Sequence, residues 1–298
     1  MNLEQLVERS CDMSSFQSIE AYLSFALGFT DFIQEGIQAE IVSRNENNYR
    51  FLQYREDGTY NVTRPINYDL MYSYEELEAK HKELPKILAA IKDEGVDTPE
   101  NRELINRLVY TAQQSIGASL DALPANKSNF SRKINGNLFE RFIKLIISEA
   151  GVSVSEGTVN VPVEVDGKET FNMKYQHDLI LHNELGENVA YGSVKTSSKD
   201  RLGKVFVDKL LYSKLTGKET PYFAIFLNDV QRKGTEGKYG VNTTFLSNHF
   251  KGYTFKLNPL DGVYYFDIRP NMISDELLSP YIKTFDNFIF NDVNKLVV

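Results

Sequence analysis

The part of the sequence that most restricts the fold lies between residues 136 and 228. The stretch "GNLFERFIKLIISEAG" carries apolar residues at helical spacing and ends at Gly151. Strand-like runs follow it: "GTVNVPVEV", "HDLILH", "NVAYGSVKTS" and "PYFAIFLNDV", with helical periodicity over 201–216 between the last two. Helix, strand, strand, helix, strand has few ways to bury its apolar faces. The order predicts an α/β fold with a mixed central sheet flanked by helices. A further strand, "GVYYFDIRP", and C-terminal helices extend it.

The first 120 residues read differently, as mainly helix. "SFQSIEAYLSFALGFTDFIQEGI" and "SYEELEAKHKELPKILAAIKDEG" have helical spacing, the second with a kink or break expected at Pro85. "AEIVSRNENNYRFLQYREDGTYNV" suits a short hairpin, and "DTPENRELINRLVYTAQQSI" opens with a Thr-Pro helix entry. "LPANKSNFSRKINGN" (123–137) reads as an exposed linker, and a boundary is placed there. The expected organisation is a mainly helical N-terminal region at 1–122 and an α/β domain at 123–298.

One cysteine, Cys11, excludes a disulfide framework and any multi-cysteine zinc site. Four histidines, at 81, 177, 182 and 249, show no metal-ligand spacing. The first residues lack the apolar core of a signal peptide and no run approaches bilayer length, so a cytoplasmic protein is expected. The net charge of −8 argues against a polyanionic partner, but the distribution of that charge argues for one. Residues 1–110 hold 11 Lys/Arg against 20 Asp/Glu, whereas residues 195–238 hold 10 against 5. Binding responds to the local field.

The basic region begins at a strand end, in "SVKTSSKDRLGKVFVDKLL" (193–211). Asp178 lies in the neighbouring strand run, Lys195 at the end of its own, Glu140 on the preceding helix and Asp208 on the following one. Phosphodiester hydrolysis needs neutralised phosphoryl oxygens and an activated water. Carboxylates holding Mg²⁺ and a nearby lysine meet those needs. Arg201 and Asp208 are seven residues apart, which leaves them roughly 20° out of phase on a helix. Each residue also has an ordinary reading: a turn-end Asp178, a snorkelling Lys195, a solvent-facing Glu140, and an Asp200 that caps the helix.

Asp178 followed by Ser-Val-Lys at 193–195 resembles the core of the PD-(D/E)xK nucleases, with His177 in place of the motif's proline. Ser193 stands where the second acidic residue is common. The same replacement marks a branch of the type II restriction endonucleases, typified by EcoRII and NgoMIV. In that branch the missing carboxylate comes from the next helix, where this chain has Asp208. The branch also continues its lysine with Thr and a basic-acidic-Arg triplet, matched here by "KTSSKDR". The resemblance covers roughly residues 136–270 and leaves the N-terminal half outside.

That resemblance implies a Mg²⁺-dependent restriction endonuclease with a restriction-endonuclease-like sheet. Asp178 and Asp208 would hold metal, Lys195 would serve the nucleophile, and Glu140 would act as an outer-shell or second-metal contact. It implies that Lys199, Asp200 and Arg201 read adjacent C·G pairs in the major groove. Guanidinium suits guanine O6 and N7, and a carboxylate accepts from cytosine N4. The segment "NDVQRKGTEGKYG" (228–240) adds Gln231, Arg232 and Lys233 as DNA contacts, or else forms a solvated hairpin. Lys127, Arg132 and Lys133 are weaker phosphate candidates. The expected partners are double-stranded DNA with a palindromic CC/GG site, a second copy of the chain, and a separate methyltransferase acting on that site. The alternatives are a structure-specific repair nuclease and a DNA-binding module without catalysis.

Overall fold

Side chains that accept backbone N–H groups open the helices of the first half. Asn2 and Ser73 form capping boxes with Gln5 and Glu76. Thr98 accepts from the Asn101 amide, just ahead of Pro99 at the first helical position. The computed structural model describes residues 1–54, 62–234 and 238–297. In chain order the elements are α1 (Leu3–Cys11), α2 (Ile19–Glu35), β1 (Ala39–Val42), β2 (Tyr49–Gln53), β3 (Ile66–Asn67), α3 (Tyr74–Lys80), α4 (Glu83–Ala89), α5 (Pro99–Asp121) and α6 (Ser128–Glu149). Then come β4 (Val154–Val165), β5 (Lys168–His182), β6 (Asn188–Lys195), α7 (Leu202–Thr216), β7 (Tyr222–Phe226), β8 (Val230–Lys233), β9 (Gly240–Thr243), α8 (Ser247–Lys256), β10 (Gly262–Tyr265) and β11 (Ile282–Thr284). Short helical segments at Pro270–Ser274 and 285–296 flank β11.

Met1–Ile146 with Asp229–Thr244 form one compact unit; Ile147–Asn228 with the chain from Phe245 onward form a second. In the first, α5 is buried from Leu108 to Leu120. Its polar side chains find partners there: Thr111 accepts from the Tyr72 amide, Gln113 donates to Asn135, and Gln114 donates to Tyr110. The break expected around Pro85 falls between α3 and α4, and Pro85 sits in the first turn of α4, where a missing N–H costs nothing. The expected hairpin is β1 paired antiparallel with β2, and β3 adds a third strand; residues 55–61 of that stretch lie outside the described residues.

Residues 128–137 are not a linker but the opening turns of α6. Their composition is polar, yet Ser131, Ile134 and Asn135 are buried and continue through Leu138, Phe139 and Phe142 at helical spacing. Asn135 was legible only as loop chemistry, because its burial depends on Gln113 across the helix pair. Arg132 and Lys133 remain exposed.

The second unit is built on a six-stranded sheet in the order β11-β10-β7-β6-β5-β4. The pairs β4–β5 and β5–β6 are antiparallel, and β6–β7, β7–β10 and β10–β11 are parallel. This is the mixed central sheet flanked by helices that the element order predicts. The helix α7 makes the crossover that a parallel β6–β7 pair requires. The "YFAIF" run of β7 is buried at every position, as a central strand covered on both faces should be. No helix among the described residues is long and apolar enough to cross a membrane.

Candidate active site

A change of register in β5 determines where Asp178 points. From the pair Ser155–Ile180 to the pair Gly157–His177, β4 advances two residues while β5 advances three. The extra residue is a bulge around Asp178. Its effect is visible in the core: Tyr175 and Ile180, five positions apart, join the same apolar cluster with Tyr191 and α7, although an unbroken strand would send them to opposite faces.

At this bulge the carboxylate meets the end of β6. Asp178 Oδ2 accepts from Lys195 Nζ at 2.5 Å, from the Val194 amide at 2.8 Å and from Ser193 Oγ at 3.2 Å. Ser193, which stands where the motif's second acid is expected, thus helps to orient the Asp178 carboxylate. The Lys195 and Asp178 side chains are 29% and 15% exposed, so the ion pair is shielded but still reachable from solvent. Beyond β6 the chain is stitched to the end of β7: Leu227 N donates to Lys195 O and Ser198 N to Asn228 O.

Next to Asp178, His177 turns into an aromatic group. It stacks on Tyr191 with ring centroids 4.1 Å apart and meets Tyr212 edge-on. Its Nδ1 is 2.9 Å from the Tyr222 hydroxyl, and Tyr191 and Tyr212 share a 2.7 Å hydroxyl contact. Burial pushes His177 down to about 4, against the pull of the Asp178 and Asp208 carboxylates. It is therefore neutral at physiological pH. Burial likewise raises the Tyr175 and Tyr222 hydroxyls, and in both cases the Asp208 charge adds to the shift. Asp208 is thus electrostatically coupled to this group. It is paired with Lys204 one turn earlier and remains partly exposed.

Lys209 anchors the helix that carries Asp208. Its side chain is 7% exposed, and Nζ donates to Pro259 O at 2.6 Å and Asp261 Oδ2 at 2.8 Å. The same Asp261 oxygen accepts from the Tyr222 amide, tying α7 to the start of β7. The chain's one buried lysine in α7 reads in sequence as one more member of a basic run.

The donor chemistry here suits a hard cation held by few protein ligands. Carboxylate oxygens are on offer, His177 Nδ1 is taken by the Tyr222 hydroxyl, and among the described residues no three of His, Cys, Asp and Glu gather as a metal-binding group. Mg²⁺ is commonly held in this way, by one or two carboxylates with water and phosphate completing the shell.

The chain shares its fold with a type IIP restriction endonuclease. The crystal structure of Kpn2I superposes with a TM-score of 0.73 at 17% identity, over 99% of this chain and 97% of that one. The likeness therefore takes in the N-terminal half, which the sequence motifs left outside. A complex of the restriction endonuclease PspGI with substrate DNA matches at a TM-score of 0.46 and 14% identity, over 74% of this chain and 88% of that one. No protein-family model and no curated protein sequence matches the chain.

Lys199, Asp200 and Arg201 are all exposed. The helix starts one residue later than expected: Arg201 is the N-cap residue and Leu202 the first helical one. Asp200 does not cap it, because the N-cap has no side-chain hydrogen bond and Asp200 sits in the left-handed region at φ 54°. That turn is closed by backbone instead, with Arg201 N and Leu202 N both donating to Ser198 O.

Glu140, Gln231, Arg232 and Lys233 belong to the first unit. Glu140 is half-buried on α6. The stretch at 230–243 is a hairpin, β8 against β9, with residues 235–237 outside the described ones. Arg232 is committed within the first unit, donating to Val62 O at 2.5 Å with its guanidinium 5.5 Å from the Tyr239 ring centre. Lys233 is exposed and Gln231 half-buried.

Proposed function

We propose that this protein is a Mg²⁺-dependent type II restriction endonuclease that cuts double-stranded DNA at a short palindromic site containing CC and GG. The observation that carries the reading is the Asp178–Lys195 pair, held with Ser193 where the bulge of β5 meets the end of β6, in a sheet whose fold recurs in a type IIP restriction endonuclease. Water attacks the phosphorus, the P–O3′ bond breaks, and a 5′-phosphate and a 3′-hydroxyl remain. Lys195 stabilises the nucleophile and the charge that builds on the phosphoryl oxygens, and Asp178 holds that ammonium in position. Asp178 and Asp208 would hold Mg²⁺, with Glu140 as an outer contact. Bound there, the metal would supply Lewis-acid polarisation of the phosphoryl group and a water of lowered pKa.

Specificity is assigned to Lys199, Asp200 and Arg201. Their exposure at the start of α7 supports a groove-reading role, and Asp200, free of capping duty, keeps its carboxylate for cytosine amino groups. A palindromic site implies a two-fold dimer. Residues 123–298 would carry the nuclease chemistry, and residues 1–122 would serve dimerisation or accessory DNA contact. A separate methyltransferase would mask the same site in the host. Incubation with plasmid DNA and Mg²⁺, read on a gel, tests the proposal. Discrete fragments with 5′-phosphate ends are expected; intact plasmid across a panel of sequences would refute it.

A further inference from the structure

The first unit contains a basic cavity of its own. Arg44, just after β1, and Lys233 and Lys238, on either side of the β8–β9 turn, line a cavity of about 400 Å³ together with Asn45, Gly234 and Gly240. These residues are far apart in sequence, and specific joints bring them together. Arg44 N donates to Tyr239 O at 3.1 Å. The Asn45 amide clamps Val241 from the side, accepting from its N–H at 2.8 Å and donating to its carbonyl at 2.9 Å. A Cβ on Gly240 would come within 2.6 Å of Asn45 Oδ1, so the clamp needs glycine there. Gly234 turns at φ 90°, and a Cβ on it would meet Lys238 O at 2.4 Å. The concavity is built by these contacts rather than left by loose packing.

Several other cations of the unit are committed to carboxylates. Arg50 pairs with Glu40, Arg64 with Asp121 and Arg102 with Asp97. Among the described residues, the side chains of Arg44, Lys233 and Lys238 make no ion pair or hydrogen bond, and none of the six lining residues is acidic. All three are exposed. In a stretch where acids outnumber bases 20 to 11 over residues 1–110, carboxylate partners are abundant, so cations left unpaired around one hollow point to another anion. A guanidinium offers a planar fork and the two ammoniums act as mobile point charges, a combination that fits the tetrahedral oxyanion of a phosphate.

We infer that the Arg44–Lys233–Lys238 cavity seats a backbone phosphate of the DNA duplex and holds it without regard to sequence. This rests on the endonuclease reading. A phosphate contact of this kind sets position and register and carries no base information.

The test uses the full chain with Ca²⁺ in place of Mg²⁺ and two duplexes, one containing the cut site and one scrambled. Affinity is measured at several salt concentrations for the wild type, for Arg44→Ala/Lys233→Ala/Lys238→Ala, and for the charge-keeping Arg44→Lys/Lys233→Arg/Lys238→Arg. Each phosphate that is no longer neutralised should reduce the slope of log affinity against log salt by about 0.9. The alanine variant should lose affinity by the same factor on both duplexes, and the charge-keeping variant should retain most of the wild-type slope. Thermal melting checks folding; if the triple variant unfolds, Lys238→Ala alone should still weaken binding by the same factor on both duplexes, with a smaller fall in slope than the triple variant.

An unchanged slope in a variant of an enzyme that still cuts its site overturns the cavity assignment and leaves the endonuclease reading intact. A loss confined to the cut-site duplex overturns it too, in favour of base reading. Wild-type protein that binds neither duplex overturns both. Protection of the wild type against melting by inorganic phosphate, with the duplex slope unaltered in the alanine variant, would mark a free-phosphate site instead.

Discussion

The end of β6 and the β8–β9 hairpin both concentrate lysine and arginine, and they treat charge in opposite ways. At the first, Lys195 is committed: a carboxylate on the adjoining strand holds its ammonium, and Ser193 and the Val194 amide fix that carboxylate in turn. At the second, Arg44, Lys233 and Lys238 surround a hollow with no protein partner for their side chains among the described residues. A group that stabilises a transition state must already be in place when charge develops, since reorganising at that moment adds to the barrier. A group that only attracts a polyanion works best when uncommitted, because a protein carboxylate would compete with the phosphate. On the proposed reading, pairing of the cation, rather than its mere presence, would distinguish chemistry from docking in this chain.

Removing the committed charges should produce the largest effects. Lys195→Ala and Asp178→Ala are each expected to lower cleavage by about three orders of magnitude or more, while gel-shift affinity in Ca²⁺ stays near the wild type. Asp208→Ala should lie in the same range, because Ser193 cannot supply an anionic ligand. Near-normal cleavage in any of the three would undo the assignment of that residue.

Lys209→Ala tests whether a committed cation can be structural instead. A fully buried pair broken on one side costs about 3–5 kcal/mol. With Asp261 open to solvent, about 2–3 kcal/mol is expected, read as a lowered denaturant midpoint. A variant as stable as the wild type would show that α7 is held by its apolar face alone.

Arg201→Ala addresses an uncommitted charge given a reading role. It should cost roughly 1–3 kcal/mol of discrimination at one G·C pair, measured on a panel of single-base site variants at fixed salt. Arg132→Ala, on the exposed face of α6, should weaken every duplex about equally. A uniform loss for Arg201→Ala would place the start of α7 with the phosphate-docking class.

The smallest effect concerns His177, which is buried in its neutral form. Its value in the folded chain lies near 4 and its ordinary value near ~6.5. Below the ordinary value the unfolded chain takes up a proton that the folded chain refuses. Its contribution to stability is therefore complete above about pH 6.5 and declines as the pH falls toward 4. Melting temperatures of the wild type and His177→Gln across this window should diverge most at neutral pH and converge toward pH 4; parallel curves would sink the assignment.

Much of this was legible in the residues because it depends on local pattern. The "YFAIF" run reads as a buried strand, Thr98-Pro99 as a helix start, and Asp178 with Ser-Val-Lys as a candidate active centre. What escaped depends on contacts between distant positions. Asn135 looks like linker chemistry until Gln113 is seen beside it, and Lys209 looks like a surface charge until Asp261 is placed. The three-residue β11 is too short for periodicity to register and exists because β10 offers a parallel edge. Arg44 has no local motif. Its neighbours Lys233 and Lys238 come to it only through the Asn45 clamp on Val241.

The additional residue in β5 also gives the sheet an arithmetic. A strand alternates inside and outside like a sign that changes at each step, and one inserted residue multiplies everything on one side of it by minus one. Tyr175 and Ile180 lie on the same face only because of that inversion. Deleting a single residue at Asp178 would therefore do more than remove a carboxylate. Tyr175 and His177 would exchange the core for solvent, and the β4–β5 ribbon would be turned inside out relative to the four strands behind it. Asp178 is the odd term in the count, so an insertion or deletion there would disturb the candidate site and the fold together.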